Sequence, residues 1–333
     1  MIAALYAAVA RRRREWFANH PEARRRLRRP VISIGNIAAG GRGKTPLTAA
    51  VARALLELGE VPSVLSRGYA RTQQTDGAVI VRDREGIRAD VARAGDEPFM
   101  LARQLDGAIV MAGADRYVSG RLAEHHLGAT VHLLDDGFQH FQLDRDADIV
   151  LVSRADLAGS STLPSGHLRE PADVLIAADA IVALDDGVEA ALPGLHQDAV
   201  VFRAIRRTGA AVFEGAGGGV AAGSRVVAVA GIANPEAFFE DVSRAGWQIV
   251  ATRSFRDHYP YSSRDLASVF ELVESTDARA VMTTEKDVVR MLSHRPFRHP
   301  VGWLPLTMEA EPAAEFRAWL ASAVGAARDS VIA

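Results

Sequence analysis

The 333-residue chain contains no cysteine, which excludes disulfides, zinc–thiolate sites and a cysteine nucleophile. A chain without thiols also fits a cytosolic protein. No internal repeat or low-complexity tract is present, so a repeat architecture is excluded. The longest apolar opening is equally limited: about ten mostly apolar residues precede Arg11, and a bilayer span takes roughly 20. A secretory signal would carry its positive charge before that run and a small-residue cleavage site after it. Here the charge follows the run, and no such cleavage site is evident.

What is present, 48% hydrophobic and 24% charged residues, describes a soluble globular protein. At about 150 residues per domain, the length predicts two compact units.

The net charge of −2 hides an asymmetry. Residues 1–30 hold nine arginines and two glutamates, a formal +7, which leaves −9 for the remainder. In this opening stretch the apolar run is followed by Arg11 to Arg14, then Trp16, Phe17 and a second arginine cluster. The pattern fits an interfacial helix, with apolar and aromatic side chains at the lipid boundary and arginines on anionic headgroups. It equally fits a solvated arm or a nucleic-acid patch. Nothing downstream resembles a nucleic-acid-binding module, so no nucleic-acid partner is expected.

Short Val/Ile-rich runs alternate with longer Ala/Leu/Arg segments, the pattern of a parallel sheet with crossover helices. The runs predict strands over 31–34, 61–65, 78–81, 108–111, 131–134, 149–152 and 180–184. Helices are predicted over 47–58, 97–105 and 115–125. These suffice for one doubly wound domain. At residues 199–226 the texture changes to two short extended segments and a glycine-rich turn, read as a connection. A second αβ series follows through "RVVAVAGI", "WQIVATRSF" and "ARAVMTTEKD", and ends in "GWLPLTM" and a helical tail. The expected division is therefore 1–30 as a basic segment, 31–198 as a P-loop domain, 199–222 as a β linker and 223–333 as a second α/β domain.

The stretch "SIGNIAAGGRGKTP" passes from a strand through glycines into a helix. A P-loop reads G-x-x-x-x-G-K-[ST], and its glycines let backbone N–H groups curl around phosphate oxygens. Gly43, Lys44 and Thr45 fill the second half, Ala38 stands where the first glycine belongs, and Gly40 and Gly41 follow slightly later. The expected ATP loop is Ala38, Ala39, Gly40, Gly41, Arg42, Gly43, Lys44, Thr45 and Pro46. Lys44 would reach the β- and γ-phosphates and Thr45 would ligate Mg²⁺. Pro46 is tolerated because the first helical turn does not need its missing N–H. Arg42 either adds a phosphate contact or points to solvent. A P-loop enzyme also needs a carboxylate at the end of a neighbouring strand. "VHLLDDGFQH" offers Asp135 and Asp136 at the carboxyl edge, where open α/β sheets bind ligands.

Eight motifs, "SIGNIAAGGRGKTP", "SRGYAR", "GDEP", "LDDGFQH", "LREP", "GIANPEAFF", "FRDHYPYS" and "TTEKD", occur in an order and at spacings that resemble the tetraacyldisaccharide 4'-kinase family over about residues 30–290. The resemblance implies ATP and Mg²⁺ as cofactors and a glycolipid acceptor, a tetraacyldisaccharide 1-phosphate phosphorylated at its 4'-hydroxyl to give lipid IVA. It implies a P-loop doubly wound α/β/α domain and a second, smaller α/β/α domain joined by a short β linker. It also implies an N-terminal membrane-associated helix, hence a peripheral enzyme on the cytoplasmic face of the inner membrane, against its anionic surface. No protein partner is inferred.

Carried over by position, Lys44 and Thr45 match the family's phosphate and Mg²⁺ residues. Asp135 and Asp136 match its metal-side carboxylates, and Glu170 a position near the metal and phosphates. Asp96 in "GDEP" matches the catalytic aspartate and His258 the histidine that works with it. A sugar hydroxyl needs a base to accept its proton during transfer. From the residues alone, Asp96 reads rather as an N-cap of the next helix and His258 as a surface or capping residue, and only the resemblance reverses this. Glu170 with Arg169 reads also as an exposed ion pair. Arg67 and Tyr69, after the second strand, read as acceptor-side or structural, with Arg169 as a further acceptor-side candidate. Lys286 and Asp287 would bind nucleotide or cap a helix. Asn234 would line a cleft or start a turn with Pro235. The alternative class is a P-loop switch ATPase that binds protein partners. That group carries a lysine just before the paired glycines, where this chain has Ala39.

Overall fold

The computed structural model describes residues 2–40, 43–69, 71, 73, 77–214 and 220–332. The first eight strands are β1 (Val31–Asn36), β2 (Pro62–Ser66), β3 (Val79–Arg82), β4 (Ile109–Ala112), β5 (Val131–Asp135), β6 (Ala147–Val152), β7 (Ala180–Ala183) and β8 (Val200–Thr208). Then come β9 (Val212–Phe213), β10 (Arg225–Ala230), β11 (Gln248–Ser254), β12 (Ala280–Thr283), β13 (Val301–Trp303) and β14 (Leu306–Glu311). The helices are α1 (Ile2–Asn19), α2 (Lys44–Glu57), α3 (Val91–Ala94), α4 (Asp96–Gln104), α5 (Arg116–Leu122), α6 (Arg154–Leu157), α7 (Val188–Ala191), α8 (Pro235–Arg244), α9 (Ser263–Ser275), α10 (Glu285–Met291) and α11 (Ala313–Ile332).

The chain forms two compact units, Met1–Ile205 with Met308–Ala333, and Arg206–Thr307. In the first, nine strands run in the order β14-β8-β7-β6-β1-β5-β2-β4-β3. From β8 to β4 each neighbouring pair is parallel, and β3 lies antiparallel on β4. Strands β1, β2, β4, β5, β6 and β7 are buried along their whole length. That double-sided burial is why they read as unbroken apolar runs. Leu47, Val51 and Leu55, spaced by four on α2, share one face and enter the core with Ile32, Val64 and Leu133. On the opposite face Leu27, Leu65, Ile109 and Leu134 form a separate cluster. Strand β1 sits between β5 and β6, with β2 beyond β5, so the carboxyl end of β1 faces the place where strand order reverses.

The second unit has the strand order β11-β10-β12-β13-β9. It packs Leu266, Val269, Phe270 and Val273 of α9 on one face and Phe238, Phe239 and Val242 of α8 on the other.

Two boundaries expected from the sequence need correction. Residues 199–222 form no separate linker among the described residues: β8 joins the first sheet and β9 the second. The glycine-rich part, 215–219, lies outside the described residues. The helical tail does not belong to the second domain. Phe316, Leu320 and Val324 of α11 are buried in the first unit's core, and Phe316 meets Phe202 of β8 edge-on at 5.0 Å. The segment "GWLPLTM" is thus divided, with β13 in the second sheet and β14 in the first.

Candidate active site

The turn from β1 into α2 is held from outside. Ala38 is fully buried and bridges to Leu168. Ala39 N–H donates to the His167 carbonyl at 2.7 Å, and Arg169 N–H donates to the Ile37 carbonyl at 2.7 Å. Backbone pairing with 167–169 shapes the half of the loop where a glycine was missing, which accounts for Ala38. Gly43 precedes the helix at φ 87°, a left-handed conformation that leaves little choice but glycine. Gly41 and Arg42 lie outside the described residues. Thr45 and Pro46 occupy the first turn of α2.

Lys44 Nζ donates to Asn36 Oδ1 at 3.1 Å and to the Gly40 carbonyl at 3.2 Å, and stands 3.4 Å from Asp136 Oδ1. Burial lowers its pKa against the pull of Asp136. Asn36, at the end of β1, is 1% exposed, and its Nδ2 has no hydrogen-bond partner among the described residues. It is a donor beside Lys44, the lysine expected at the phosphates.

Asp135 ends β5, is buried, and accepts from Thr48 Oγ1 at 3.0 Å. Burial raises its pKa, and the charges of Glu97 and Asp136 push it further up. Asp136 follows at φ 57°. Arg169 Nη1 donates to both its oxygens at 2.9 Å. Burial alone would raise the Asp136 pKa, but Lys44 and Arg169 outweigh it and hold it low. A buried carboxylate under pressure from two other acids suits a cation, so Asp135, with Thr45 in the first turn of the helix that Thr48 ties to it, fits a Mg²⁺ ion accompanying phosphates. Among the described residues no three acidic or histidine side chains converge as a metal cage.

Glu170 does not join that pair of aspartates. It is 2% exposed and takes Arg14 Nε at 2.9 Å, Arg14 Nη2 at 2.8 Å and Gln139 Nε2 at 3.0 Å. Nor does it form the exposed ion pair with Arg169, which turns to Asp136 instead.

Asp96 is buried as the first residue of α4, and the helix starts one residue earlier than expected, so the capping position falls to Gly95. Gly95 has φ 87°, and a Cβ there would collide with the Tyr69 carbonyl oxygen. That contact fixes the "GDEP" turn against the loop after β2, on which Arg67 and Tyr69 are exposed.

His258 and Lys286 belong to the second unit and Asp96 to the first. The two ring nitrogens of His258 face cationic side chains: Lys286 Nζ lies 3.1 Å from Nε2 and Arg290 Nη2 3.2 Å from Nδ1. Asp287 is fully buried, accepting from Gly231 N–H at 2.9 Å, Thr284 Oγ1 at 2.7 Å and Arg290 Nη1 at 3.0 Å. It braces the turn, while Thr284 caps α10. Asn234 caps α8, with Pro235 in its first turn.

Sequence reasoning missed three residues at the first unit's edge. Arg116, 7% exposed at the start of α5, has its pKa lowered to about 10 by burial and then by Arg67, against the attraction of Asp135 and Asp136. His140 is pushed down to about 4 by burial, with Arg116 and Arg145 adding to it. Asn36 is the third. The available signal was position: Asn36 ends β1, and Arg116 and His140 come shortly after β4 and β5, at the carboxyl edge where ligands bind. A further signal was rarity, since the chain has only two lysines, Lys44 and Lys286.

A glycine turn opening into a helix, with a largely buried lysine, a hydroxyl and a strand-end aspartate at the carboxyl edge of a parallel sheet, defines a P-loop nucleotide-binding protein. The comparisons with known proteins narrow the class. The family model for tetraacyldisaccharide-1-P 4'-kinase matches residues 1–325. The tetraacyldisaccharide 4'-kinase of Geobacter sulfurreducens is 40% identical over 298 residues, 88% of this chain and 83% of the relative. That of Pelobacter propionicus is 38% identical over 293 residues, 86% and 81%. A crystal structure of LpxK from Aquifex aeolicus in complex with ATP superposes with a TM-score of 0.78 at 27% identity, covering 97% of each chain. The chain belongs to the tetraacyldisaccharide-1-P 4'-kinase family.

Proposed function

We propose that the protein transfers the γ-phosphoryl group of ATP to the 4'-hydroxyl of a tetraacyldisaccharide 1-phosphate at a membrane surface. The observation that carries this reading is Lys44, set between Asn36, Gly40 and Asp136 at the mouth of the loop, in a family named for that reaction. Lys44 and the loop amides position the phosphates and stabilise charge as it develops. Thr45 and Asp135 would hold Mg²⁺, which neutralises charge on the phosphate oxygens. Asp96 serves as the base for the sugar hydroxyl. Arg67, Tyr69 and Arg169 serve the acceptor side.

The membrane role falls to α1, which buries no residue. Ile2, Leu5 and Val9 are 67%, 66% and 61% exposed, and Trp16 is 47% exposed. At helical spacing they form one apolar stripe, and the arginines beside it suit anionic headgroups. Among the described residues no helix is long and apolar enough to cross a membrane, in keeping with a peripheral enzyme at the inner membrane's cytoplasmic face.

The test is transfer of labelled γ-phosphate to a tetraacyldisaccharide 1-phosphate in mixed micelles, with Mg²⁺ and with EDTA. Mg²⁺-dependent label in the lipid is expected. Lys44→Ala and Asp96→Ala should each lose about 10²- to 10³-fold of the rate with the fold retained. Free phosphate without labelled lipid would instead indicate a switch ATPase.

A further inference from the structure

One side chain of helix α1, Arg14, reaches the residues that hold the strand-to-helix turn of its own unit. The Arg14 guanidinium forks onto Glu170 at 2.9 and 2.8 Å. It also lies over the rings of Phe138 and Phe141, at 4.4 and 4.9 Å from their centroids. The Arg14 and Glu170 side chains are 16% and 3% exposed, whereas those of the neighbouring Arg11–Asp173 pair are 49% and 56% exposed. The outer pair is of the solvated kind that contributes little, while the inner one is bidentate and largely desolvated.

From Glu170 the connections run two ways. Gln139 Nε2 donates both to Glu170 at 3.0 Å and to the Asn36 carbonyl at 2.9 Å, and the Asn36 side chain accepts from Lys44. The preceding residue, Arg169, holds both oxygens of Asp136, the other partner of Lys44. A contiguous polar set therefore links the apolar-striped helix to the P-loop lysine.

We infer that Arg14 is a positioning residue for phosphoryl transfer, acting through Glu170, an inference that rests on the kinase reading above. With Arg14 in place, Glu170 has its own cation and Gln139 stays on the loop strand. Without it, a buried carboxylate loses its forked partner and is left to Gln139, its remaining hydrogen-bond donor, and to the charge of Arg145. Gln139 is then drawn toward Glu170 and away from the Asn36 carbonyl, which loosens the strand end whose side chain holds Lys44. Lysine supplies charge but neither the planar fork nor ring stacking, so it is a poor substitute at this position.

The experiment compares full-length wild type, Arg14→Ala and Arg14→Lys in the mixed-micelle assay and in sedimentation with phosphatidylglycerol–phosphatidylcholine vesicles. MgATP binding is read separately with a fluorescent ATP analogue. The expected result is a kcat lowered about 10- to 100-fold in Arg14→Ala, the range for removing a partner that orients a site residue. Arg14→Lys should recover only part of it, and vesicle binding should stay near wild type because the apolar stripe is intact. Wild-type kcat in Arg14→Ala overturns the inference, as does activity that falls only in step with vesicle binding. If Arg14→Ala does not fold, Arg14→Lys decides, and full kcat there overturns it. If the wild type labels no lipid, the kinase reading fails, and the analogue still decides the positioning role: undiminished affinity in both variants overturns it.

Discussion

The Thr48 hydroxyl donates to Asp135 Oδ1 at 3.0 Å and is also 3.0 Å from the Lys44 carbonyl, so one side chain ties the first turn of α2 to the end of β5. The aspartate is thereby aimed by the helix that the P-loop begins. Thr48→Val keeps the shape and removes the donor. It should lower the unfolding free energy by about 1 to 3 kcal/mol in urea denaturation, the cost of leaving a buried acceptor short of a partner. Thr48→Ser should restore most of it, and a Val variant as stable as wild type would show that the bond is dispensable.

Asp135 makes stability depend on pH in an unusual direction for a carboxylate. Its pKa in the folded chain is raised above the ordinary 3.8, first by burial and then by Glu97 and Asp136. Between pH 3.8 and the raised value the folded chain keeps a proton that the unfolded chain has released. Stability therefore falls as pH rises through that window and stays lower above it. Asp135→Asn removes this cost. Without metal or nucleotide, its thermal midpoint should exceed that of the wild type at pH 8, with the gap closing toward pH 4. A gap independent of pH would refute the assignment of the cost to ionisation.

The exposed stripe of α1 predicts lipid binding that is both apolar and electrostatic. Leu5→Asp with Val9→Asp should cut partition onto phosphatidylglycerol vesicles at least tenfold, since each buried methylene contributes about 0.8 kcal/mol. Raising salt should weaken the wild type as well, through screening of the arginines. Unchanged sedimentation of the double variant would exclude the stripe as the lipid contact.

Leu320 is fully buried in the first unit although it stands beyond residue 307. Leu320→Ala should cost about 2 to 5 kcal/mol of that unit's stability. Hydrogen exchange locates the effect: faster opening of α2 and β8 is expected, and faster opening confined to β10 and β12 would return the tail to the second unit.

Much of the fold could be read from the sequence because fully buried parallel strands announce themselves as apolar runs, and because Lys44 and Thr45 sit at a recognisable strand-to-helix turn. The tail was misplaced for a physical reason. The spacing of Phe316, Leu320 and Val324 says that one face is buried, but not against which sheet. Glu170 was found and its partner was not, because Arg14 is 156 residues away and looks like any member of an arginine run. Arg116 and Asn36 are single polar residues after strands, and only their burial distinguishes them from ordinary helix starts and strand ends.

The return of the chain to its first sheet has a consequence for biosynthesis. The polypeptide leaves that sheet through β8, builds the whole second unit, and comes back in β14 beside β8. Phe316, Leu320 and Val324, which cover Phe202 and part of the core under α2, are translated only after the whole second unit. A nascent chain thus carries its P-loop with one flank of the sheet uncovered until the second unit has been made and the chain has returned. The contiguous second unit, by contrast, has all of its sequence once Thr307 has emerged.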